Sequence, residues 1–217
     1  MSPFPNSPRL MKGGLVLLDP QTSSVLRVIA LQYNPDTLSR TLQSRSVELS
    51  GENRSQALRL KGPPVETIQV EAVLDATDRL EVAEESAVRV GIHPELAALE
   101  TLVYPTAATL LENHALAGAG TLQITPMESP LTLFVWSRKR IVPVRITDFS
   151  VVEEAFDVAL NPIRARVTLG LRVLSVDDLG FSHRGGSLFM AYQQQKESLA
   201  AQSVAGTLEA LGIGGLP

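Results

Sequence analysis

Apolar residues alternate with polar ones along several segments of the chain, and this period of two predicts β-strands buried on one face. The strongest case is residues 163–174, whose alternating apolar positions are Ile163, Ala165, Val167, Leu169, Leu171 and Val173. Residues 65–75 repeat the pattern with Ile68, Val70, Ala72 and Leu74. Residues 131–136 and 141–152 are also β-rich, and the charged tip between them, residues 137–140, predicts a hairpin.

The first strands of the chain are apolar on both faces. Residues 15–18 and 25–33 flank a proline-containing polar segment, residues 19–23, which predicts another hairpin. In the second of these strands Val25 and Ile29 share one face, while Leu26 and Val28 share the other. Such a strand lies either at the centre of a sandwich or against another subunit. Residues 38–49 alternate less regularly and predict one further strand.

The period changes to that of a helix after His93. Pro94 and Glu95 suit a first helical turn, and the apolar residues Leu96, Leu99, Leu102 and Val103 follow at helical spacing. Tyr104-Pro105 is expected to end this helix, because a residue before proline is pushed out of the helical region. Residues 78–86 are polar and compatible with a helix, whereas residues 106–120 define no element.

A second helix is predicted near the C-terminus, at residues 187–211, after a glycine-rich linker at 180–186. Its later half carries a narrow apolar stripe with 3,4,3 spacing, formed by Ala201, Val204, Leu208 and Leu211. Periodicity does not name the surface that this stripe covers. The helix either folds back on its own domain or docks on a neighbour.

Two segments have few large apolar residues. Residues 1–13 form a proline-rich arm that is expected to be flexible. Residues 50–62 form a long polar loop that contains Arg54, Arg59 and Lys61. Loops of this length are usually functional or mobile, so this one is either a docking loop or a tip without a role.

Composition excludes several classes of protein. The formal net charge of −4 over 217 residues does not supply the basic surface of a nucleic-acid binder. The chain has no cysteine, so disulfides and thiolate metal sites are excluded. No secretory signal and no apolar run of about 18 residues is present, which predicts a cytoplasmic protein without membrane insertion.

Catalytic motifs are also absent from the sequence. His93, His114 and His183 are far apart and lack the spacing of a helical metal site. Neither a nucleophile elbow nor a phosphate-binding loop occurs. We therefore expect no enzyme activity, cofactor or metal. A ligand-binding β-barrel, or an enzyme without a recognisable motif, remains the alternative.

One charged constellation stands out, because Arg164, Arg166 and Arg172 share the polar face of the strand at 163–174. This row is either the solvent-facing side of an amphipathic strand or a face turned to a neighbouring subunit or an axial channel. In the second case the guanidinium groups are expected to pair with carboxylates such as Glu66 or Glu71 across a ring.

The order of these pieces resembles a known family. Leu31-Gln32-Tyr33-Asn34-Pro35 precedes a strand, and Lys61-Gly62 precedes the strand at 65–75. The helix closed by Tyr104-Pro105 comes next, followed by residues 130–136, 145–148 and finally 162–167. Over residues 14–178 this order is similar to the tube-like N-terminal domain of contractile injection system tube and hub-adaptor proteins.

The resemblance implies a mainly β fold with one main helix, an α+β domain built as a tail-tube-like β-sandwich or barrel. Residues 1–13 would be a flexible arm, 14–178 the tube-like domain, and 179–217 a linker with a C-terminal helical tail. It implies a structural protein that forms a homohexameric ring within a phage-tail-like particle. Its partners would be the inner tube protein, the spike and other baseplate proteins.

The family's adaptors carry a LysM-like domain after the tube-like domain, whereas only 39 residues follow Asp178 here. The chain is thus expected to form a ring where the tube meets the spike or baseplate, as a tube initiator or a shortened adaptor. The polar loop and the C-terminal helix are the expected docking segments. The candidate inter-subunit contacts are Arg54, Arg59, Lys61, Arg164, Arg166, Arg172, Ala201, Val204, Leu208 and Leu211.

Overall fold

The computed structural model describes residues 11–46, 59–118, 129–203 and 206–216. Within them, seven strands form one antiparallel sheet in the order β2-β1-β5-β6-β7-β4-β3. The strands are β1 Gly14–Leu18, β2 Val25–Ala30, β3 Leu38–Gln43, β4 Val65–Asp75, β5 Leu131–Ser137, β6 Arg140–Phe156 and β7 Pro162–Val173. All the strands predicted from alternation are confirmed, although β2 and β3 end earlier than the sequence pattern suggests.

The sheet is curled, which brings the chain just after β2 close to the end of β4. In a flat sheet, the five steps from β2 to β4 at about 4.8 Å each would separate these strands by about 24 Å. Gln32 lies only two residues after β2, yet its side-chain nitrogen donates to the backbone oxygen of Asp75, at the end of β4, over 2.6 Å. The backbone nitrogen of Asp75 donates back to the Gln32 side-chain oxygen over 2.9 Å.

The core lies on the inner face of this curled sheet, as the alternation predicts. The alternating apolar side chains of β4 and β7 are buried almost without exception, together with Phe134 of β5 and Val142 of β6. Opposite them, Arg164 and Arg166 are about half exposed. Burial on one face holds the register, because a slip of one residue would expose the whole apolar set.

Six helices occur among the described residues, so the expectation of one main helix is wrong. They are α1 Thr77–Glu81, α2 Glu85–Val90, α3 His93–Glu100, α4 Ala107–Gly118, α5 Val176–Leu179 and α6 Arg184–Ala200. The predicted start of α3 is confirmed, with Pro94 in its first turn, and Leu96 and Leu99 of this helix pack into the core. No helix within the described ranges is long and apolar enough to cross a membrane.

The C-terminal helix differs from its prediction at both ends. It begins at Arg184, inside the predicted linker, because Gly185 and Gly186 pack closely on the preceding turn. A Cβ on Gly186 would overlap the backbone oxygen of Gly180. Helix α6 buries Phe189 and Tyr192 against its own chain, so of the two alternatives for this helix the intramolecular one is observed.

The predicted apolar stripe in the later half of this helix is wrong. Helix α6 ends at Ala200, and Ala201 is its exposed C-cap. Leu208 and Leu211 belong to a separate segment around the 3-10 turn Glu209–Leu211, and both are exposed. The chain leaves the helical path before these residues, so they do not align on one helix face. Val204 lies outside the described residues.

Candidate subunit interface

The turn at residues 33–36 anchors the chain that leads into β1. The Asn34 side-chain oxygen accepts from the Gly13 backbone nitrogen over 2.9 Å, and its side-chain nitrogen donates to the Met11 backbone oxygen over 2.7 Å. The Leu31 backbone nitrogen also donates to the Gly13 oxygen. Together with the Gln32–Asp75 pair, these contacts give the motif a structural role in closing the sheet.

The same turn lies beside the arginine row. A surface depression of about 610 Å³ is lined by residues 33–37, by outer-face residues of β4 and by Arg164. Two of the segments that carry the resemblance, residues 31–35 and 162–167, are therefore neighbours in space, although about 130 positions separate them in the chain.

The arginine row does not form a positively charged face. Neighbouring strands place carboxylates on the same side, so Arg164 pairs with Asp75 at 3.5 Å and Arg166 pairs with Glu154 at 3.0 Å. Arg166 also lies 3.5 Å from Glu71. These pairs are intramolecular and partly exposed, so each contributes little stability. Contact of the row with a second subunit stays a prediction.

Glu66 does not pair across a ring, which corrects the expectation for this residue. It is 3% exposed and accepts from Arg40 at 2.7 Å and from Lys196 at 3.1 Å. The Tyr192 hydroxyl donates to the same carboxylate over 3.2 Å. This cluster joins β3, β4 and α6. The available signal was that Glu66 occupies an even position, on the apolar face of β4.

The electrostatics of this cluster favour an ionised carboxylate. Burial alone raises the pKa of Glu66, but the hydrogen bond from Arg40 and the charge and hydrogen bond of Lys196 outweigh it. The pKa of Glu66 is therefore lowered from its ordinary value. Two cations and a hydroxyl satisfy the buried charge, as such a group requires.

Short helix α5 lies between two of the predicted contact residues, Arg172 and Lys61. Arg172 pairs with Asp178 at 2.8 Å, and Arg45 pairs with Asp177 at 2.7 Å. The backbone nitrogen of Lys61 donates to the Arg45 oxygen, which places the end of the polar loop beside this helix. Arg59 is exposed on the same segment. Arg54 and most of the loop lie outside the described residues.

Strand β2 presents apolar residues to solvent at the edge of the sheet. Val25, Leu26 and Val28 are each more than half exposed. Of the two alternatives for this strand, a central position in a sandwich is therefore wrong, because β1 is its only neighbour within the described sheet, and burial against another subunit stays a prediction. Exposed apolar edge strands are ready to pair with other chains, and native proteins usually cover them.

Helix α4 is a second unburied apolar element, and sequence reasoning assigned it no structure. None of its side chains is buried, and Leu110, Leu111 and Leu116 are exposed. The signal that could have found this helix is its alanine and leucine content, which favours helix formation. A helix of 12 residues with no buried side chain is marginal in water by its own propensity.

Nothing in the described ranges assembles a metal site from three or more His, Asp or Glu side chains. His183 has a structural role, since its Nδ1 accepts from the Gly185 backbone nitrogen at the start of α6. His93 begins α3, His114 lies on α4 and His183 caps the start of α6, so the described structure places the three histidines at separate helices.

The chain matches no protein-family model, and none of the curated proteins matches it. Among solved structures, similar chains occur in the tail of an empty gene transfer agent (GTA) particle with C6 symmetry and in the virion of a native GTA particle. Each is 16% identical over 74% of this chain and 90% of the other, with TM-scores of 0.29 and 0.28. Scores of this size do not show a shared fold.

Proposed function

We propose that this chain is a structural subunit of a contractile, phage-tail-like particle, and that it forms a ring where the inner tube meets the spike or baseplate. The observation that carries the proposal is the exposed apolar edge strand β2. An isolated domain would leave this edge open to solvent and to uncontrolled pairing. A ring covers it with a neighbouring copy.

Closure of a ring requires a head-to-tail contact between two different patches of the same chain. The described structure offers separate apolar surfaces on β2 and on α4, which lie on different elements. The exposed charged pairs of Arg164 and Arg166 can exchange partners with a neighbour at little cost, because pairs of this kind are weak. They supply register between copies rather than affinity.

The order of elements also supports the proposal. The resemblance to tube and hub-adaptor proteins needs a strand before Tyr33-Asn34-Pro35, a helix before Tyr104-Pro105, and a final long strand at residues 162–167. These correspond to β2, α3 and β7 of the structure. In this role the chain acts by binding rather than by catalysis. The exposed Leu208 and Leu211 would then contact another baseplate component.

The alternative, a ligand-binding β-barrel or an enzyme, predicts a chain that functions as a monomer. Mass measurement under native conditions, together with electron microscopy of the purified chain, separates the two. We expect closed rings, six-membered if the resemblance holds, for the chain alone or with its tube protein. A chain that stays monomeric at high concentration, both alone and with the tube protein, would contradict the proposal.

A matched pair of variants connects the ring to β2. Leu26→Asp puts a charge on the exposed apolar edge and is expected to abolish rings, because a charge buried without a partner is costly. Val82→Asp puts the same charge at an exposed position after α1 and is expected to leave rings intact. Equal effects of the two variants on ring formation would show that β2 is not part of the interface.

A further inference from the structure

The hairpin between β6 and β7 ends in an apolar tip, residues 156–160. Val158 is fully exposed, Leu160 is 77% exposed and Phe156 is about half exposed. None of these three side chains belongs to the hydrophobic clusters of the described residues. Exposed clusters of this kind mark interaction sites.

Hydrogen bonds hold the tip in one conformation. One carboxylate oxygen of Asp157 accepts from the backbone nitrogens of Ala159 and Asn161, over 2.7 and 2.8 Å, and the other accepts from the Asn161 side chain over 2.8 Å. The Asp157 backbone nitrogen donates to the Asn161 oxygen over 2.9 Å. A turn fixed in this way loses little entropy when it binds a partner.

Leu160, at the end of the tip, has a left-handed backbone conformation. Its φ is 64°, in the left-handed region that glycine or asparagine occupies at lower energy. Its side chain is exposed, so packing within the described chain does not offset this strain. The hydrogen bonds of the turn offset it instead, since the Leu160 backbone nitrogen donates to the Asp157 oxygen over 3.1 Å, and the left-handed conformation therefore belongs to the turn that presents the tip.

A groove on another part of the molecule is apolar, as the hairpin tip is. It lies between β2 and α3, has a volume of about 530 Å³, and is lined by apolar residues that include Val28, Leu74 and Leu99. Arg79 and Glu95 at its border pair with each other. Arg27, also at the border, donates to the Thr101 hydroxyl and makes no salt bridge with any described residue.

Charge distinguishes the two surfaces. The tip carries the carboxylate of Asp157, which is partly exposed, and is flanked by the exposed Glu153, whereas the groove carries the Arg27 guanidinium. Hydrogen bonds from the Asn161 side chain and backbone lower the pKa of Asp157, so the tip is negatively charged at neutral pH. Opposite charges around apolar surfaces fix the register of a contact. An anionic membrane would repel this tip, which favours a protein partner.

We propose that the hairpin tip of one copy inserts into the β2–α3 groove of a second copy. The inference rests on the proposed ring-forming function and names the contact that joins neighbouring subunits. Tip and groove are different patches of the same chain, so the contact is head-to-tail and can close a ring. Phe156, Val158 and Leu160 supply the apolar insert, and Arg27 faces the acidic flank of the tip.

Because the chain has no cysteine, cysteines introduced at chosen positions can form disulfides only with each other. Val158→Cys and Val28→Cys are prepared as separate chains with different tags, mixed under assembly conditions and oxidised. We expect a disulfide-linked dimer that contains both tags, because the tip of one copy would lie in the groove of the next. The control mixes Val158→Cys with Val82→Cys, another exposed valine, and is expected to give at least several-fold less mixed dimer.

The results of this cross-linking experiment distinguish a failure of the tip contact from a failure of ring formation. Rings of the unmodified chain that give no excess of the Val158–Val28 cross-link over the control would overturn the tip contact and leave the proposed function standing. Cross-links confined to two Val158→Cys copies would also overturn it, since they indicate a two-fold contact. An unmodified chain that never assembles, alone or with the tube protein, contradicts the proposed function itself and the tip contact with it.

A second pair of variants tests the same contact without cross-linking. Val158→Asp places a charge in the apolar insert and is expected to lower ring yield at least tenfold, while Val82→Asp leaves it unchanged. Both valines are exposed, so thermal unfolding of both variants should match that of the unmodified chain. Normal ring yield from a folded Val158→Asp chain would contradict the inference.

Discussion

Three polar side chains, those of Gln32, Asn34 and Glu66, hold together parts of the chain that are distant in sequence. Gln32 pairs with the Asp75 backbone, Asn34 pairs with the backbone before β1, and Glu66 connects two strands to α6. Gln32 and Asn34 provide hydrogen bonds after the pairing of β2 has ended, whereas Glu66 lies within β4, where it is paired with β3. Groups of this kind are costly to leave without partners once they are buried.

Glu66→Gln is expected to destabilise the fold by about 1.5–3 kcal/mol, because hydrogen bonds to a charged group are lost and an amide donor then faces two cations. Urea unfolding measures the change. The control is Glu71→Gln, which removes a half-exposed carboxylate paired with Arg166 and should cost less than about 1 kcal/mol. Equal losses in the two variants would show that burial of Glu66 has no energetic role.

The lowered pKa of Glu66 predicts how stability depends on pH. Its pKa in the folded state lies below the ordinary value of 4.5, so its stabilisation is fully present above about pH 4.5 and is lost as pH falls through the folded value. The difference in unfolding free energy between the unmodified chain and Glu66→Gln should therefore be constant near neutral pH and shrink in acid. A difference that stays constant down to about pH 3 would contradict this assignment.

At the scale of elements, alternation located the strands, but local propensity failed at the start of α6. The pair Gly185-Gly186 suggests a linker, yet both residues lie in the first turn of a helix. Their reason is spatial, because the helix packs so closely on residues 179–180 that a side chain would collide. Close approach between two segments has no signature in either segment alone.

Gly186→Ala is accordingly expected to destabilise the chain by about 1–3 kcal/mol, although alanine has the higher helix propensity. The added methyl group would overlap the Gly180 oxygen and displace the start of α6. Gly206→Ala is the matched control, since a Cβ there meets nothing within 4 Å. Thermal or urea unfolding of the two variants provides the comparison, and a neutral Gly186→Ala would refute the packing explanation.

At the scale of the whole molecule, the curled sheet separates a main core and a smaller apolar cluster around Leu18, Leu131 and Leu133 from several apolar surfaces that stay exposed. The core unites β4, β7, α3 and α6, whereas β2, α4 and the hairpin tip direct apolar residues outward. A monomer gains nothing from the second set. A ring subunit gains its contacts from it, which is why these surfaces carry the functional proposal.

The segment after α6 provides a test at this scale. Residues 206–216 are all exposed, so a chain that ends at Ser203 should unfold within about 0.5 kcal/mol of the full chain. Phe189→Ala, which empties a buried position on α6, should cost about 3–5 kcal/mol by the same urea measurement. If Leu208 and Leu211 dock on a baseplate component, the shortened chain should also lose co-purification with it. Unchanged co-purification would show that this segment is not part of the interface.

The sequence by itself determined the strands and the start of α3, because period and capping chemistry are local properties. It also placed Ile68, Val70 and the odd residues of β7 in the core. The tertiary structure alone decided that β2 is an edge, that Arg164 and Arg166 are neutralised by other strands, and that Glu66 is buried between cations. Strand order and cross-strand neighbours depend on how the sheet curls. Local periodicity shows which face of a strand is buried, but it does not show which strands become adjacent.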